Sequence, residues 1–137
     1  MKKVVINTCY GGFSLSYKAV LLYFKLLGKP IYAFIQPNFD GKYEPYNPTL
    51  HKNRVIHYSI NPTLNEKGGI NNKDYTYSED IITRDDPILI KVVEQLKEQA
   101  SGECSKLKIV EIPDYVDYII EEYDGYEHIA EKHRTWG

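Results

Sequence analysis

The stretch that most constrains this chain is Val4-Val5-Ile6-Asn7-Thr8-Cys9-Tyr10-Gly11-Gly12-Phe13-Ser14-Leu15-Ser16. Three consecutive β-branched residues predict a short strand, and an unbroken apolar run, in place of alternation, predicts cover on both of its faces. Paired glycines then turn the chain. The spacing of Leu15, Ala19, Leu22, Tyr23, Leu26 and Leu27 predicts a helix with Ser14 as its N-cap and Gly28 at its end. A helix start above a strand end points free N–H groups at one place and suits an anion. The same glycines equally suit a tight turn that needs positive φ. Both readings stay open on this stretch alone.

Ile31 to Ile35 reads as a second strand, so the chain opens strand–turn–helix–strand, a βαβ-like unit if the two strands pair in parallel. From Gln36 to Asp80 the periodicity is lost among prolines, glycines and asparagines, and only Arg54 to Ile60 keeps strand-like content. This stretch is expected to be a loop-rich insertion with a hairpin-like excursion, inside a single domain spanning residues 1–137. Arg84-Asp85-Asp86-Pro87 announces a second helix, with Asp85 or Asp86 as cap and Pro87 in the first turn. Its buried stripe is Ile88, Leu89, Val92, Val93 and Leu96, and Gly102 is expected to end it. Leu107 to Ile112 reads as a strand, Val116 to Tyr123 as another ahead of an Asp-Gly turn, and Tyr126 to Trp136 as a last strand or short helix. The fold class expected is α+β, a mixed sheet of about five strands with two main helices packed on it.

Composition excludes some functions. The net charge is −2 and the 17 Lys and Arg are scattered, so polymeric nucleic acid is not an expected partner, because such domains need a basic excess. A small nucleotide, which needs only one or two cations, fits. The two cysteines are too few for a disulfide framework and lack metal-ligand spacing. Lys2-Lys3 is followed by only a short apolar run, and Lys25 interrupts the longest apolar stretch. A soluble, cytosolic protein without a leader or a membrane span is therefore expected. The 13 tyrosines suit ring-stacking pockets and interfaces.

Three places could carry chemistry. At the glycine turn, Asn7, Tyr10, Phe13, Ser14 and Ser16 surround Gly11 and Gly12 with donors and rings, though neither a dinucleotide fingerprint nor a P-loop ending is present. Cys9 would need His128 or His133 as a base to act as a nucleophile, and reads more simply as a small buried residue. Near the C-terminus, Arg134 could grip a phosphate, and Tyr126 or Trp136 could stack on a base. Glu127, His128, Glu131 and His133 could approach a metal, but no second matching pair completes a site. Glu127 or Glu131 with His128 could form an acid/base pair. The plainer alternative is a solvated acidic face. At the second helix, Arg84 either belongs to the capping signal or reaches a ligand.

Together, the opening Val5-Ile6-Asn7-Thr8-Cys9-Tyr10-Gly11-Gly12-Phe13-Ser14-Leu15-Ser16, the middle Arg84-Asp85-Asp86-Pro87 and the close Glu122-Tyr123-Asp124-Gly125-Tyr126-Glu127-His128-Ile129-Ala130-Glu131-Lys132-His133-Arg134-Thr135-Trp136 resemble a family of small phage proteins, the first class of Thoeris anti-defence proteins. The resemblance leaves out the stretch from Gln36 to Asp80. It implies a sponge and not an enzyme: a protein that sequesters the cyclic ADP-ribose isomer made by a TIR-domain sensor and so blocks the defence effector. It also implies a homo-oligomer built from dimers, a hexamer among the options, acting in the host bacterial cytoplasm, with related cyclic oligonucleotides held at a separate site. From the local chemistry of the matching positions, the expected ligand contacts are Asn7, Tyr10, Gly11, Gly12, Phe13, Ser14, Ser16, Arg84, Asp124, Tyr126, Glu127, Arg134, Thr135 and Trp136. No catalytic residue, metal or cofactor is expected. The alternatives are a small nucleoside or nucleotide hydrolase using Glu127/Glu131 and His128, and a protein–protein interaction module.

Overall fold

The computed structural model describes residues 1–38, 40–51, 55–70 and 82–132. Its elements are β1 (Lys2–Asn7), α1 (Tyr17–Leu27), β2 (Tyr32–Ile35), β3 (Glu44–Pro45), β4 (His57–Ser59), α2 (Pro87–Leu96), a 3-10 turn (Lys97–Ala100), β5 (Leu107–Ile112), β6 (Tyr118–Tyr123) and β7 (Tyr126–Glu131). The class is α+β, as expected, but the strands form three small sheets and not one mixed sheet. Every strand pairing among the described residues is antiparallel. The chain divides into two compact units, one of Met1–Leu27 with Glu79–Gly137 and one of Gly28–Ser78.

In the first unit β1 pairs with β5 in a register running from Lys2↔Ile112 to Asn7↔Leu107. The β-branched run does what its composition implies: Val4 and Val5 are fully buried and Ile6 nearly so. Burying such a side chain stabilises by about 1.5–3 kcal/mol. The expected βαβ pairing of β1 with β2 does not form, and the reason is local. On the side of β1 away from β5, the Val5 N–H donates to the Arg84 carbonyl at 2.8 Å and the Asn7 N–H to the Glu127 carboxylate at 2.7 Å. Both edges of β1 are thus occupied.

The helix α1 buries Ala19, Val20, Tyr23 and Phe24. Leu26 and Leu27, expected in that stripe, are exposed, so the apolar face is set earlier in the helix than the leucine spacing suggests. Asp86 caps α2 by accepting the Ile88 N–H at 2.8 Å, with Pro87 in the first turn, as the sequence indicates. Its other carboxylate oxygen accepts the Tyr23 hydroxyl at 2.6 Å, which ties α1 to the start of α2. The helix ends at Leu96 and continues as the 3-10 turn, short of the expected stop at Gly102. The β6–β7 hairpin closes on Asp124 (φ 52°) and Gly125 (φ 91°), the positive pair that a two-residue hairpin turn requires. The residues after this turn extend as a strand, so His128 and Glu131 do not share a helix face.

In the second unit β2 is central, flanked by β3 and β4. The loss of periodicity across this stretch has a visible cause. Asn47, Asn61 and Asn65 side chains accept the backbone N–H groups of Thr49, Thr63 and Lys67 at 2.9–3.0 Å, so turns built on side chains replace long regular elements. His57 packs edge-on against Tyr43, with ring centroids 5.1 Å apart, and its burial pushes the imidazole pKa down. Of the strand expected over Arg54 to Ile60, His57–Ser59 is present and Arg54 lies outside the described residues. No helix among the described residues is long and apolar enough to cross a membrane.

Candidate functional site

The glycine turn is shaped by contacts on both sides. A Cβ at Gly11 would lie 2.5 Å from the Cys104 Cβ and would also strike its carbonyl. Gly12 has open space around it but a φ of 85°. One glycine therefore permits a close approach and the other a left-handed backbone. Ser14 is not the helix cap: its carbonyl accepts the Gly102 N–H at 3.0 Å and the Ser105 hydroxyl at 2.9 Å. Ser16 takes that role, accepting the Ala19 N–H at 3.1 Å. The start of α1 also docks on the 3-10 turn, where the Ser16 N–H donates to the Ala100 carbonyl and its hydroxyl to the Gln99 carbonyl. The glycine turn and the helix start are therefore separate features, with α1 beginning at Tyr17 after the Ser16 cap.

Beside the turn lies a buried ion pair. Arg84 Nη1 and Nη2 donate to Glu127 Oε1 and Oε2 at 2.6 and 2.8 Å, a two-pronged grip with the side chains 21% and 5% exposed. The guanidinium stacks on Phe13 at 3.7 Å from the ring centroid. Glu127 Oε1 also takes the Asn7 N–H. Fully buried Asn7 completes the knot: its Nδ2 donates to the Cys9 and Gly125 carbonyls, each at 2.8 Å, and its Oδ1 accepts the Lys106 N–H at 2.9 Å. Opposite charges and the hydrogen bonds on each partner make this burial tolerable. One cluster thus joins β1, the glycine turn, the segment before α2, β5 and the β6–β7 turn.

The two ends of the motif pattern therefore meet through Asn7, Gly11, Gly12, Phe13, Arg84, Gly125 and Glu127. Tyr10 and Tyr126 also come together, with ring centroids 5.3 Å apart and planes tilted by 41°, and stay 65% and 39% exposed. Asp124 sits in the hairpin turn, exposed. Ser14 and Ser16 are used in backbone contacts. Arg134, Thr135 and Trp136 lie outside the described residues. Glu127 is buried while adjacent His128 faces outward and pairs with Glu121 at 3.2 Å, as strand alternation requires. Those two groups cannot act on one substrate atom. No group of three metal-ligating side chains is found among the described residues. The Asn7 partners Gly125 and Lys106 were not singled out from sequence. The Asp-Gly turn hinted at the first; nothing local pointed to the second.

A cleft of about 530 Å³ opens next to the same loop, where Cys9 meets the end of α2 and the start of β5. Comparison with protein-family models, with curated proteins and with solved structures gave no match.

Proposed function

We propose that this protein is a non-catalytic sponge for a cyclic nucleotide signal, a cyclic ADP-ribose isomer of the kind made by TIR-domain sensors, and that it acts in phage counter-defence. The observation that carries the reading is the exposed Tyr10–Tyr126 ring pair, set at the junction of the two segments that resemble the anti-defence family. Paired rings at a surface offer a nucleobase a stacking platform, worth about 1–3 kcal/mol per base. The polar groups around them are consumed in holding the platform. Glu127, one of the two carboxylates of the hydrolase alternative, is clamped by Arg84 and the Asn7 backbone N–H, which favours sequestration over turnover. Subunits assembled from dimers would enclose the ligand more fully than a shallow surface does, and related cyclic oligonucleotides fit the same chemistry. The site of action in this reading is the host bacterial cytoplasm.

The test is to incubate the protein with a cyclic ADP-ribose isomer, remove free ligand, denature the protein and analyse what is released. Intact isomer is the expected product, with uptake lost in Tyr10→Ala and Tyr126→Ala while the melting temperature changes little. Hydrolysed product, or no uptake by the wild-type protein, would overturn the reading.

A further inference from the structure

We infer that Lys97 and Lys106, and not Arg84, supply the positive charge for the ligand's phosphates, in the cleft lined by Cys9 at the start of the glycine loop; this assignment rests on the nucleotide-binding reading above. Arg84 has both prongs of its guanidinium on Glu127 at 2.6 and 2.8 Å. A phosphate there would have to displace a carboxylate that is itself 5% exposed and, among the described residues, pairs with no other cation. Breaking a buried pair in that way is strongly unfavourable.

The cleft has what the pair lacks. Lys97 and Lys106 both line it, both are exposed, and among the described residues neither has a carboxylate within ion-pair distance. Glu98 also lines it, which leaves one net positive charge, suited to a small anion and not to a long polyanion. Ser101 Oγ accepts the Leu107 N–H at 3.0 Å and keeps its own hydrogen to donate. Val93 and Leu107 add apolar wall for a sugar face. At about 530 Å³ the space is within the usual range for small-molecule sites.

Two further facts point the same way. Lys97 holds φ 53° and ψ −121°, a backbone that glycine adopts more easily, so local conformation does not explain a lysine there. Cys9 lines the cleft and the next residue, Tyr10, carries the exposed ring. One loop therefore presents a stacking surface and a cationic cleft at neighbouring positions, the two things a nucleotide presents in reverse.

The experiment is calorimetric titration of inorganic pyrophosphate into wild-type protein, Lys97→Gly, Lys106→Met and the double variant. Wild-type uptake is expected, with Kd raised about fivefold by each substitution and about 25-fold by both, as for exposed charge pairs. Lys97→Gly also relieves the backbone, so its melting temperature is expected to equal or exceed that of the wild type, which separates lost binding from lost folding. No pyrophosphate uptake by the wild type, or equal uptake by the variants, overturns the assignment. The same variants are then titrated with the cyclic isomer. Wild-type binding that survives unchanged in the double variant overturns the cleft assignment and leaves the sponge reading standing. Pyrophosphate binding that depends on both lysines, without binding of the isomer, supports the cleft and overturns the sponge.

Discussion

Replacing Glu127 by Gln tests the cluster that joins the elements of the first unit. The glutamate accepts two hydrogen bonds from Arg84 and one from the Asn7 N–H, all between 2.6 and 2.8 Å. The amide keeps one acceptor oxygen and turns an NH2 group toward a donor, so at least one charged hydrogen bond is lost and one donor faces another. Hydrogen bonds to charged groups contribute about 1.5–3 kcal/mol each, and removing one partner of a buried pair costs about 3–5 kcal/mol. Arg84 is 21% exposed and recovers some hydration, which places the expected loss at about 3 kcal/mol. For a chain of this size that is a fall in Tm of about 10 °C. Urea unfolding at pH 7 measures the free energy, and amide exchange of Asn7 reports directly on the lost acceptor. The double variant Arg84→Met/Glu127→Leu is expected to be more stable than Glu127→Leu alone, because no unpaired charge stays buried. A loss under about 1 kcal/mol for Glu127→Gln, with Asn7 still protected, would refute the claim that this pair organises the first unit.

Three further outcomes follow from the same geometry. Asn7→Asp keeps the shape but removes both Nδ2 donors, setting a carboxylate against the Cys9 and Gly125 carbonyls; a loss of about 3 kcal/mol is expected from chemical denaturation. Gly125→Ala drives a Cβ into the Gly12 nitrogen and to 2.8 Å from the Gly11 nitrogen, at a φ of 91°. It is expected to cost about 2 kcal/mol or more and to broaden hairpin resonances; a stability equal to wild type would mean the turn can retreat from the loop. The third concerns alkaline pH. Burial, reinforced by the hydrogen bond to Asp86 and its charge, pushes the Tyr23 hydroxyl up to about 12 from 10.0. The folded state holds this proton more tightly than the unfolded one, so the contribution is complete below pH 10 and fades as pH rises from about 10 through about 12. Tyr23→Phe is expected to cost about 1.5 kcal/mol at neutral pH and to remove that part of the alkaline loss in a pH series of unfolding curves.

Much of the first unit's local structure is legible in the amino-acid order. Val4-Val5-Ile6 is a strand buried on both faces because β-branched, continuously apolar residues suit nothing else so well. Asp86-Pro87 starts a helix because the carboxylate satisfies an orphan N–H and proline needs none. Asp124-Gly125 turns a hairpin because both residues tolerate positive φ. Such features depend on neighbours a few residues apart, and the chain carries that information openly.

Long-range choices were decided only by tertiary structure. Serine is a good cap at position 14 or 16, and the selection of Ser16 follows from where the 3-10 turn and Gly102 press on the loop. The partner of β1 is β5 and not β2, because Arg84 and Glu127 close the other edge, and no periodicity announces a side chain that substitutes for a strand. Arg84 and Glu127 each look like ligand contacts in isolation; across 43 residues they neutralise one another, since a buried charge must find its opposite. The sequence by itself determined which groups are available to bind. Three-dimensional proximity determined which of them are already taken, and left Tyr10, Tyr126, Lys97 and Lys106 facing outward.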